Sequence, residues 1–420
     1  MKLGSRKTVG GAMAAMLLCL VAIALAAGQT APASRPAAPA NRPAAAAPGR
    51  LMAEQVYKNI KVLRGMTEDQ FMDTMTFISG GLGTNCTHCH SIAIAFGTPA
   101  RWAGFTAETP LKETARKMIA MTKRINAGYF AGANLVTCYT CHRGLEDPPK
   151  VIPQLALQYG EPKEEEPTQF TSQDPDSPMP DQILDKYIQA IGGAGRLASL
   201  SSFTAKGTYA GYDTDFEVVP MDVYSKAPNQ RAWVVHTAFG ERSRVFNGRA
   251  GWNATPDTSQ VRPVLPITAG RLENERVLAQ LAFPTQIKTA LTRLITGGEM
   301  TIGGGDPEAS RSLPNRQVYV VQGLDAARMP VKLYFDKETG LLVRVVTHVN
   351  SAIGIFSTQI DYSEFRDVSG IKMPFHWVVT AADGQNMYDL TEVQINAAIE
   401  EARFAQPAPP RLLTPQARAR

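Results

Sequence analysis

The sequence predicts a multidomain fold in which an all-α domain is followed by a mainly antiparallel β domain with a helical insert. Three features of the 420 residues support this prediction. Two stretches before residue 130 carry apolar residues at helical spacing. Residues 151–180 are rich in Pro, Asp, Glu and Ser, which is typical of an interdomain linker. Beyond residue 200, short β-rich segments alternate with turn residues through most of the chain.

The α domain is predicted to span residues 51–150 and to contain two main helices. The first begins after Thr67, and its apolar face has the members Phe71, Met75 and Ile78. A group of glycines is expected to end this helix: Gly80, Gly81 and Gly83. The second helix has Thr109 as its N-cap and Pro110 at its first position. Its apolar stripe consists of Leu111, Ala115, Met118, Thr122 and Ile125, and Gly128 is expected to close it.

The β domain is predicted to span residues 181–405. It opens with an amphipathic helix that has Asp181 as its N-cap and stops at Gly192. A helical insert is expected over about residues 271–294. Few helices and many consecutive antiparallel strands favour a curved, half-barrel-like sheet with a helical lid. The predicted strands cover residues 203–209, 214–224, 231–237, 244–246, 317–322, 331–335, 341–348, 356–362, 372–380 and 388–395.

The segments outside the two domains indicate export. Residues 1–27 carry three basic side chains before an apolar run, as a signal peptide or an uncleaved N-terminal anchor does. Residues 28–50 form an Ala/Pro-rich tether, and residues 406–420 form a Pro-rich, disordered tail. The formal net charge is +5, part of which belongs to the basic N-terminus, so the charge gives no reason to expect a nucleic-acid partner.

Two copies of one short cysteine pattern lie in the α domain, at Cys86–His90 and Cys138–His142. Each reads Cys-x-x-Cys-His, which is the attachment pattern of c-type haem. The thiols Cys86 and Cys89 would bind one porphyrin and Cys138 and Cys141 a second, with His90 and His142 as proximal iron ligands. Two alternatives remain: a zinc site built from Cys and His, and a pair of disulfides. The motifs predict two covalently bound haem c groups, and the α domain is accordingly a dihaem cytochrome c domain.

Methionines on the two predicted helices are candidates for the sixth iron ligand. The first helix offers Met72 or Met75, and the second offers Met118 or Met121. A Met ligand opposite His is usual in electron-transfer cytochromes and raises the reduction potential. Methionine also fills gaps in apolar cores, so spacing alone leaves both roles open for each side chain.

Residues 56–144 resemble one half of the cytochrome c subunit of photosynthetic reaction centres. The resemblance implies that Met75 and His90 bind one iron and that Met118 and His142 bind the other. That subunit carries four haems in two halves, whereas this chain has two motifs and no histidine between Gly128 and Val136. The matching residues are Tyr57–Leu63, Met75-Thr76, Cys86–His90, Ala115–Thr122, Ile125-Asn126 and Val136–Gly144.

The β domain has a weaker resemblance to the carriers that sort outer-membrane lipoproteins. The matching residues are Leu333–Asp336, Thr339–Leu341, Arg344, Asp361-Tyr362 and Gly370–Pro374. The resemblance implies that a hydrophobic ligand binds inside the half-barrel. The three histidines of this domain, His236, His348 and His376, fall singly on predicted strands and are expected to be structural or surface residues.

These observations favour a periplasmic electron carrier that passes single electrons through two His/Met-ligated haems to redox proteins in the periplasm or at the membrane. The protein is then a carrier and not a catalyst with a substrate of its own. Membrane association through an uncleaved N-terminal segment is compatible with this function. Two alternatives are a peroxidase-like dihaem enzyme, which requires an exchangeable iron site, and a binding protein for a hydrophobic ligand or a partner, with accessory haems.

Overall fold

The chain forms helices in its first half and one large antiparallel sheet in its second half. These elements are seen in a computed structural model, which describes residues 51–90, 99–150, 170–238, 240–256, 263–303, 315–382 and 384–409. The predicted signal peptide or anchor, the tether, residues 151–169 of the linker and most of the C-terminal tail lie outside these ranges. None of the helices within them is long and apolar enough to span a membrane.

Nine α-helices are present among the described residues. Six precede the linker: α1 Ala53–Val56, α2 Glu68–Leu82, α3 Cys86–Cys89, α4 Pro99–Thr106, α5 Pro110–Tyr129 and α6 Cys138–His142. Three follow it: α7 Pro180–Ala190, α8 Ala194–Ala198 and α9 Ala269–Leu281.

The sheet has thirteen strands, and every neighbouring pair is antiparallel. The first six are β1 Ser202–Gly211, β2 Val219–Lys226, β3 Gln230–Thr237, β4 Gly240–Phe246, β5 Gly251–Ala254 and β6 Val264–Ile267. The other seven are β7 Thr292–Ile302, β8 Arg316–Leu324, β9 Pro330–Asp336, β10 Leu342–Asn350, β11 Ile355–Val368, β12 Ile371–Ala381 and β13 Gly384–Ile395. The order across the sheet is β6-β5-β4-β3-β2-β1-β13-β12-β11-β10-β9-β8-β7.

Helix α9 connects the two edge strands β6 and β7, so the chain crosses the whole sheet at this point. The helix contacts two strands that are far apart in the strand order. Glu275 pairs with Arg244 of β4, and Gly270 packs against Val349 of β10. In a flat sheet β4 and β10 would lie about 34 Å apart, at about 4.8 Å per strand. Gly270 and Glu275 are only about 8 Å apart along the helix axis. The sheet therefore curves around α9, in agreement with the predicted half-barrel with a helical lid.

The core of the β domain lies between the sheet and its helices. Neighbouring residues of a strand point to opposite faces, yet Val345 and Val346 of β10 are both buried, so both faces are covered there. Helices α7 and α9 contribute to this cluster through Tyr187, whose ring centroid lies 5.4 Å from that of Phe335, and through Val277. The burial of these apolar side chains is the main force that holds the helices on the sheet.

Helix α2 packs between α5 and the β sheet and uses two different faces. One face places Phe71, Met75 and Ile78 beside Ile119 of α5. The second face has the members Asp69, Asp73, Phe77 and Gly80, which contact Thr268, Arg271, Val349, Phe356 and Ala382. Because the helices and the sheet belong to one compact unit, Asn41–Arg420, these contacts join the predicted α domain to the β domain.

Three sequence predictions about element ends are wrong. The helical insert ends at Leu281 and not near residue 294, because Pro284 follows and residues 292–296, three of which are β-branched, enter strand β7. Helix α7 starts at Pro180 with Met179 as its N-cap, two residues before the predicted Asp181 cap. Gly80 and Gly81 lie inside α2, which ends at Leu82 with Gly83 in the left-handed conformation at φ 63°. Strands β5, β6 and β7 were not predicted.

Candidate haem-binding site

The first Cys-x-x-Cys-His motif forms a single helical turn, α3, which is followed by His90. Asn85 caps this turn, since its Oδ1 accepts a hydrogen bond from the backbone N–H of Thr87 at 3.1 Å. The backbone N–H of His90 donates to the carbonyl of Cys86 at 3.0 Å. Cys86 and Cys89 therefore lie three residues apart on one helical turn, and neither thiol forms a disulfide.

The ring of His90 is held by the backbone of α4. Its Nδ1 lies 3.0 Å from the carbonyl oxygen of Phe105, and the two ring centroids are 4.9 Å apart. A carbonyl can only accept, so Nδ1 carries the proton and Nε2 keeps its lone pair. Burial, with a smaller contribution from Lys112, lowers the pKa of His90 to about 4. The imidazole is therefore neutral at pH 7 and available as a metal ligand through Nε2.

The first turn of α5 holds this first motif in place. The Thr109 hydroxyl donates to the carbonyl of Cys89 at 2.9 Å. The buried ammonium of Lys112 donates to the carbonyls of Phe105 and Ala107 at 2.7 and 2.6 Å. Lys112 thus binds the same oxygen that orients His90. Sequence reasoning gave Lys112 no role, although a cation in the first turn of a helix, where negative charge is favoured, was the available signal.

The second motif is helix α6, and its histidine is fixed in a similar way. Nδ1 of His142 lies 3.1 Å from the carbonyl oxygen of Leu145 and 2.9 Å from that of Glu146, which again leaves Nε2 free. The loop that leads into α6 is fixed by buried Asn126. Its side chain donates to the carbonyl of Val136 at 2.8 Å and accepts from the backbone N–H of Val136 at 2.9 Å. This role of Asn126 was also missed.

Each motif contacts the helix that precedes the other motif. Helix α2, which precedes the first motif, packs against the second, because a Cβ added to Gly81 would lie only 3.0 Å from Cβ of Cys138. The backbone N–H of Gly144 donates to the carbonyl of Gly81 at 3.1 Å. The glycines expected to end α2 thus provide a close approach to α6. Helix α5, which precedes the second motif, binds the first motif through the hydrogen bond from Thr109 to Cys89.

His88, at a variable position of the first motif, also connects that motif to the segment after the second motif. Its Nε2 lies 3.2 Å from the carboxylate of Glu146, just beyond the second motif. The side chain of His88 is about one quarter exposed and that of Glu146 is largely exposed. His88 is therefore engaged in a partly exposed ion pair whenever it is protonated.

The candidate methionines differ in their surroundings. Met75 is half-buried beside Phe71, Ile78 and Ile119, whereas Met72 on the same helix is 41% exposed. Met118 and Met121 of α5 are exposed to similar extents, 41% and 42%. Helices α2 and α5 meet at Ile119. Each contacts one motif: α2 lies against Cys138 at Gly81, and α5 binds the carbonyl of Cys89 through Thr109.

The residues of this region fit a covalently bound haem. Four cysteines that form no disulfide, Cys86, Cys89, Cys138 and Cys141, are paired on two helical turns, and each following histidine presents Nε2. Most exposed large apolar side chains of the described residues lie here, including Leu111, Met118, Met121, Tyr139 and Leu145. Such a concentration is typical of a surface that binds an apolar group. Within the described ranges, no cluster of three or more His, Cys, Asp and Glu is placed to hold a metal ion.

The three histidines of the β domain all have partners. Nε2 of His236 lies 2.9 Å from Asp222, and Nδ1 of His376 lies 2.6 Å from Asp389. His348 is buried, and its Nδ1 lies 2.7 Å from the carbonyl of Pro330. Cross-strand pairing and burial account for all three positions.

Two solved structures are similar to about half of this chain. A LolA superfamily protein from Nitrosomonas europaea is 14% identical with a TM-score of 0.37, and the match covers 55% of this chain and 98% of that one. An outer membrane lipoprotein-sorting protein domain from Vibrio parahaemolyticus is 8% identical with a TM-score of 0.34, and covers 53% and 97%.

Sequence comparisons concern the helical part. The family model of the photosynthetic reaction centre cytochrome c subunit matches residues 18–178. The subunit of Roseobacter denitrificans is 32% identical over 110 residues, which are 24% of this chain and 28% of that protein. The subunit of Thermochromatium tepidum is 31% identical over 96 residues, 22% of each chain. This chain therefore spans about a quarter of the length of the curated relatives that it matches. Residues 18–178 of this protein are thus related in sequence to the cytochrome c subunit of photosynthetic reaction centres.

Proposed function

We propose that residues 51–150 bind two haem c groups and that the protein carries single electrons in the periplasm. One observation carries the proposal: each Cys-x-x-Cys-His motif forms a helical turn whose histidine has Nδ1 bound to a backbone carbonyl. That arrangement fixes the tautomer and the orientation in which an imidazole binds iron. Covalently bound haem supplies a one-electron Fe(III)/Fe(II) couple.

The four cysteines would attach the two groups, and His90 and His142 would be their proximal ligands. The similarity to the reaction centre subunit supports Met75 as the partner of His90 and Met118 as the partner of His142. Helix α2 packs against the second motif and helix α5 contacts the first, so the two helices would hold these methionines on a rigid frame. A rigid ligand frame suits electron transfer, because little has to move when the charge on the iron changes.

The location and the partners are part of this proposal. The basic residues and apolar run at the N-terminus support export, and haem is joined to such motifs after export. Redox proteins in the periplasm or at the membrane would therefore be the partners. The similarity covers only about a quarter of each relative, so the partners of those relatives are not transferred to this chain.

Replacement of the methionines by leucine tests the ligand assignment. We expect Met75→Leu and Met118→Leu each to remove the Met–iron charge-transfer band of one haem and to lower its midpoint potential, because the thioether favours ferrous iron. Met72→Leu and Met121→Leu are matched controls on the same helices and should keep both bands. Loss of a band in either control, with retention in Met75→Leu or Met118→Leu, would contradict the assignment.

The mass of the mature holoprotein and its cyanide binding test the wider proposal. Two covalent haems should be present in the purified full-length protein, and serine replacements of Cys138 and Cys141 together should remove one. A carrier with two six-coordinate irons should bind cyanide slowly and weakly. Rapid cyanide binding together with hydrogen peroxide turnover would instead favour the peroxidase-like alternative.

A further inference from the structure

A polar cluster is buried between strands β3 and β4 and helix α9, far along the chain from the haem motifs. Trp233 of β3 and Arg244 of β4 are direct cross-strand partners, and Arg231 of β3 is paired with Phe246. Arg231 and Arg244 are therefore diagonal neighbours on one face, at a backbone separation of about 7–8 Å. This face is turned toward α9, because Nη2 of Arg244 lies 2.5 Å from the carboxylate of Glu275.

The charges in this cluster are not balanced. Glu275 is buried and pairs with Arg244, while the guanidinium of Arg231 stacks on the ring of Trp233, with its Cζ 4.2 Å from the ring centroid. Burial is the main effect and lowers the pKa of Arg231, while Glu275 acts in the opposite direction. An arginine remains protonated in a protein interior, so two cations share one carboxylate here.

Three N–H groups of the cluster have no acceptor within the part of the chain that the structure describes. They are Nη1 of Arg231, Nε1 of Trp233 and Nε of Arg244, and each atom is buried. A buried donor without an acceptor costs about 1–3 kcal/mol, and more when the donor is charged. Three such donors on neighbouring positions are a recurrent solution for binding negatively charged oxygen atoms.

Aromatic and aliphatic side chains surround the three donors. The ring of Trp233 is 5.2 Å from that of Tyr388, and Tyr388 stacks at 5.5 Å on Trp377. Leu278 of α9 packs in the same hydrophobic cluster as Trp233, Trp377 and Tyr388. The side chain of Arg244 is 31% exposed, so the cluster is reachable from solvent. A ligand here would meet a positively charged end and an apolar wall.

We propose that Arg231, Trp233 and Arg244 form a binding site for an oxyanion, a carboxylate or phosphate group, carried on an apolar body that packs against Tyr388 and α9. The anion neutralises the excess guanidinium charge and accepts the three unpaired N–H groups. The site is independent of the haem proposal, since no contact between its residues and the two motifs is found among the described residues.

Thermal unfolding of the full-length holoprotein with three probes tests this site. Octanoate should raise the melting temperature in a saturable way, since a ligand that binds only the folded state stabilises it. 1-Octanol has the same chain without the anion and should give a much smaller rise. Inorganic phosphate carries the charge without an apolar body and should give a smaller rise than octanoate; an equal rise would overturn the requirement for an apolar body. Equal effects of octanol and octanoate, or no effect of any probe, would overturn the proposal.

Variants locate the effect. Arg231→Met should weaken octanoate binding about 10-fold or more, because a hydrogen-bonded charge is lost, and should leave the haem absorption spectrum unchanged. Arg249→Met removes an exposed arginine from the β4–β5 turn and is the matched control. If Arg231→Met does not fold, the comparison of octanoate with octanol on the unmodified protein still decides the proposal. Unchanged octanoate affinity in folded Arg231→Met would overturn it.

Discussion

At the scale of single residues, the two motif histidines have different electrostatic surroundings. The carbonyl that orients His90 is shared with the buried cation Lys112. The carbonyls that orient His142 belong to Leu145 and Glu146. The Glu146 carboxylate lies 3.2 Å from Nε2 of His88, which belongs to the first motif, so this charge does not distinguish the second motif from the first. A nearby cation favours the reduced, less positive iron, so Lys112 should raise the potential of the first haem.

Replacement of Lys112 by glutamine tests this asymmetry. Glutamine retains a donor for the Phe105 carbonyl but has no charge, so one of the two midpoint potentials should fall. For an effective dielectric constant of about 20 and a distance of about 8–16 Å between the Lys112 charge and the iron, the midpoint potential should fall by about 45–90 mV for one electron. Spectroelectrochemical titration measures it. Lys117→Gln, at an exposed position on the same helix, should change little. Equal shifts in both variants would contradict the role of Lys112.

At the scale of elements, α2 shows how glycine permits close packing inside a helix. A Cβ on Gly80 would lie 2.7 Å from Cβ of Ala382, at the turn between β12 and β13. On the next residue, Gly81 allows the same approach to Cys138. Helix α5 has a glycine of the opposite kind, because a Cβ on Gly128 would meet nothing within 4 Å. Packing therefore requires glycine at position 80 but not at position 128.

Alanine substitutions at these positions should have opposite effects on stability. Gly80→Ala should reduce the free energy of unfolding by about 1–3 kcal/mol, because the added methyl group overpacks the contact with Ala382. Gly128→Ala should increase it by up to about 1 kcal/mol, because alanine loses less backbone entropy in a helix. Urea unfolding of the two holoproteins measures both changes. A stabilising Gly80→Ala would show that α2 does not pack on the sheet as described.

At the scale of the whole molecule, the junction of the helices with the sheet contains buried carboxyl groups. Asp73 of α2 pairs with Arg271 at the start of α9, and Glu68 accepts a hydrogen bond from the hydroxyl of Tyr57 at 2.6 Å. Burial is the largest effect on both acids and raises the pKa of Glu68 and of Asp73, although these partners act against it. Joining the two regions therefore carries an electrostatic cost at neutral pH.

The stability of the protein should accordingly depend on pH through Glu68. With a raised pKa, the folded state keeps its proton to a higher pH than the unfolded state does. This contribution is complete below the ordinary pKa of 4.5 and is lost as the pH rises through the folded-state value. Glu68→Gln should weaken the decline between pH 4.5 and 8, by about 1.4 kcal/mol for each pKa unit of the shift. Chemical unfolding across this range measures it, with the exposed Glu113→Gln as a control. An unchanged pH profile in Glu68→Gln would contradict the raised pKa.

The sequence by itself determined the local chemistry and most of the elements. A helical turn needs only neighbouring residues, so the motifs at Cys86 and Cys138, the Thr109 cap and the alternating strands could be read directly from the chain. Only the tertiary structure decided that Lys112 and His90 share the Phe105 carbonyl, that Gly80 and Gly81 pack against Ala382 and Cys138, and that Arg231 and Arg244 share a face of the sheet that is turned toward α9. Those contacts join residues that are distant in sequence, and their energies depend on burial and on partners that spacing along the chain does not specify.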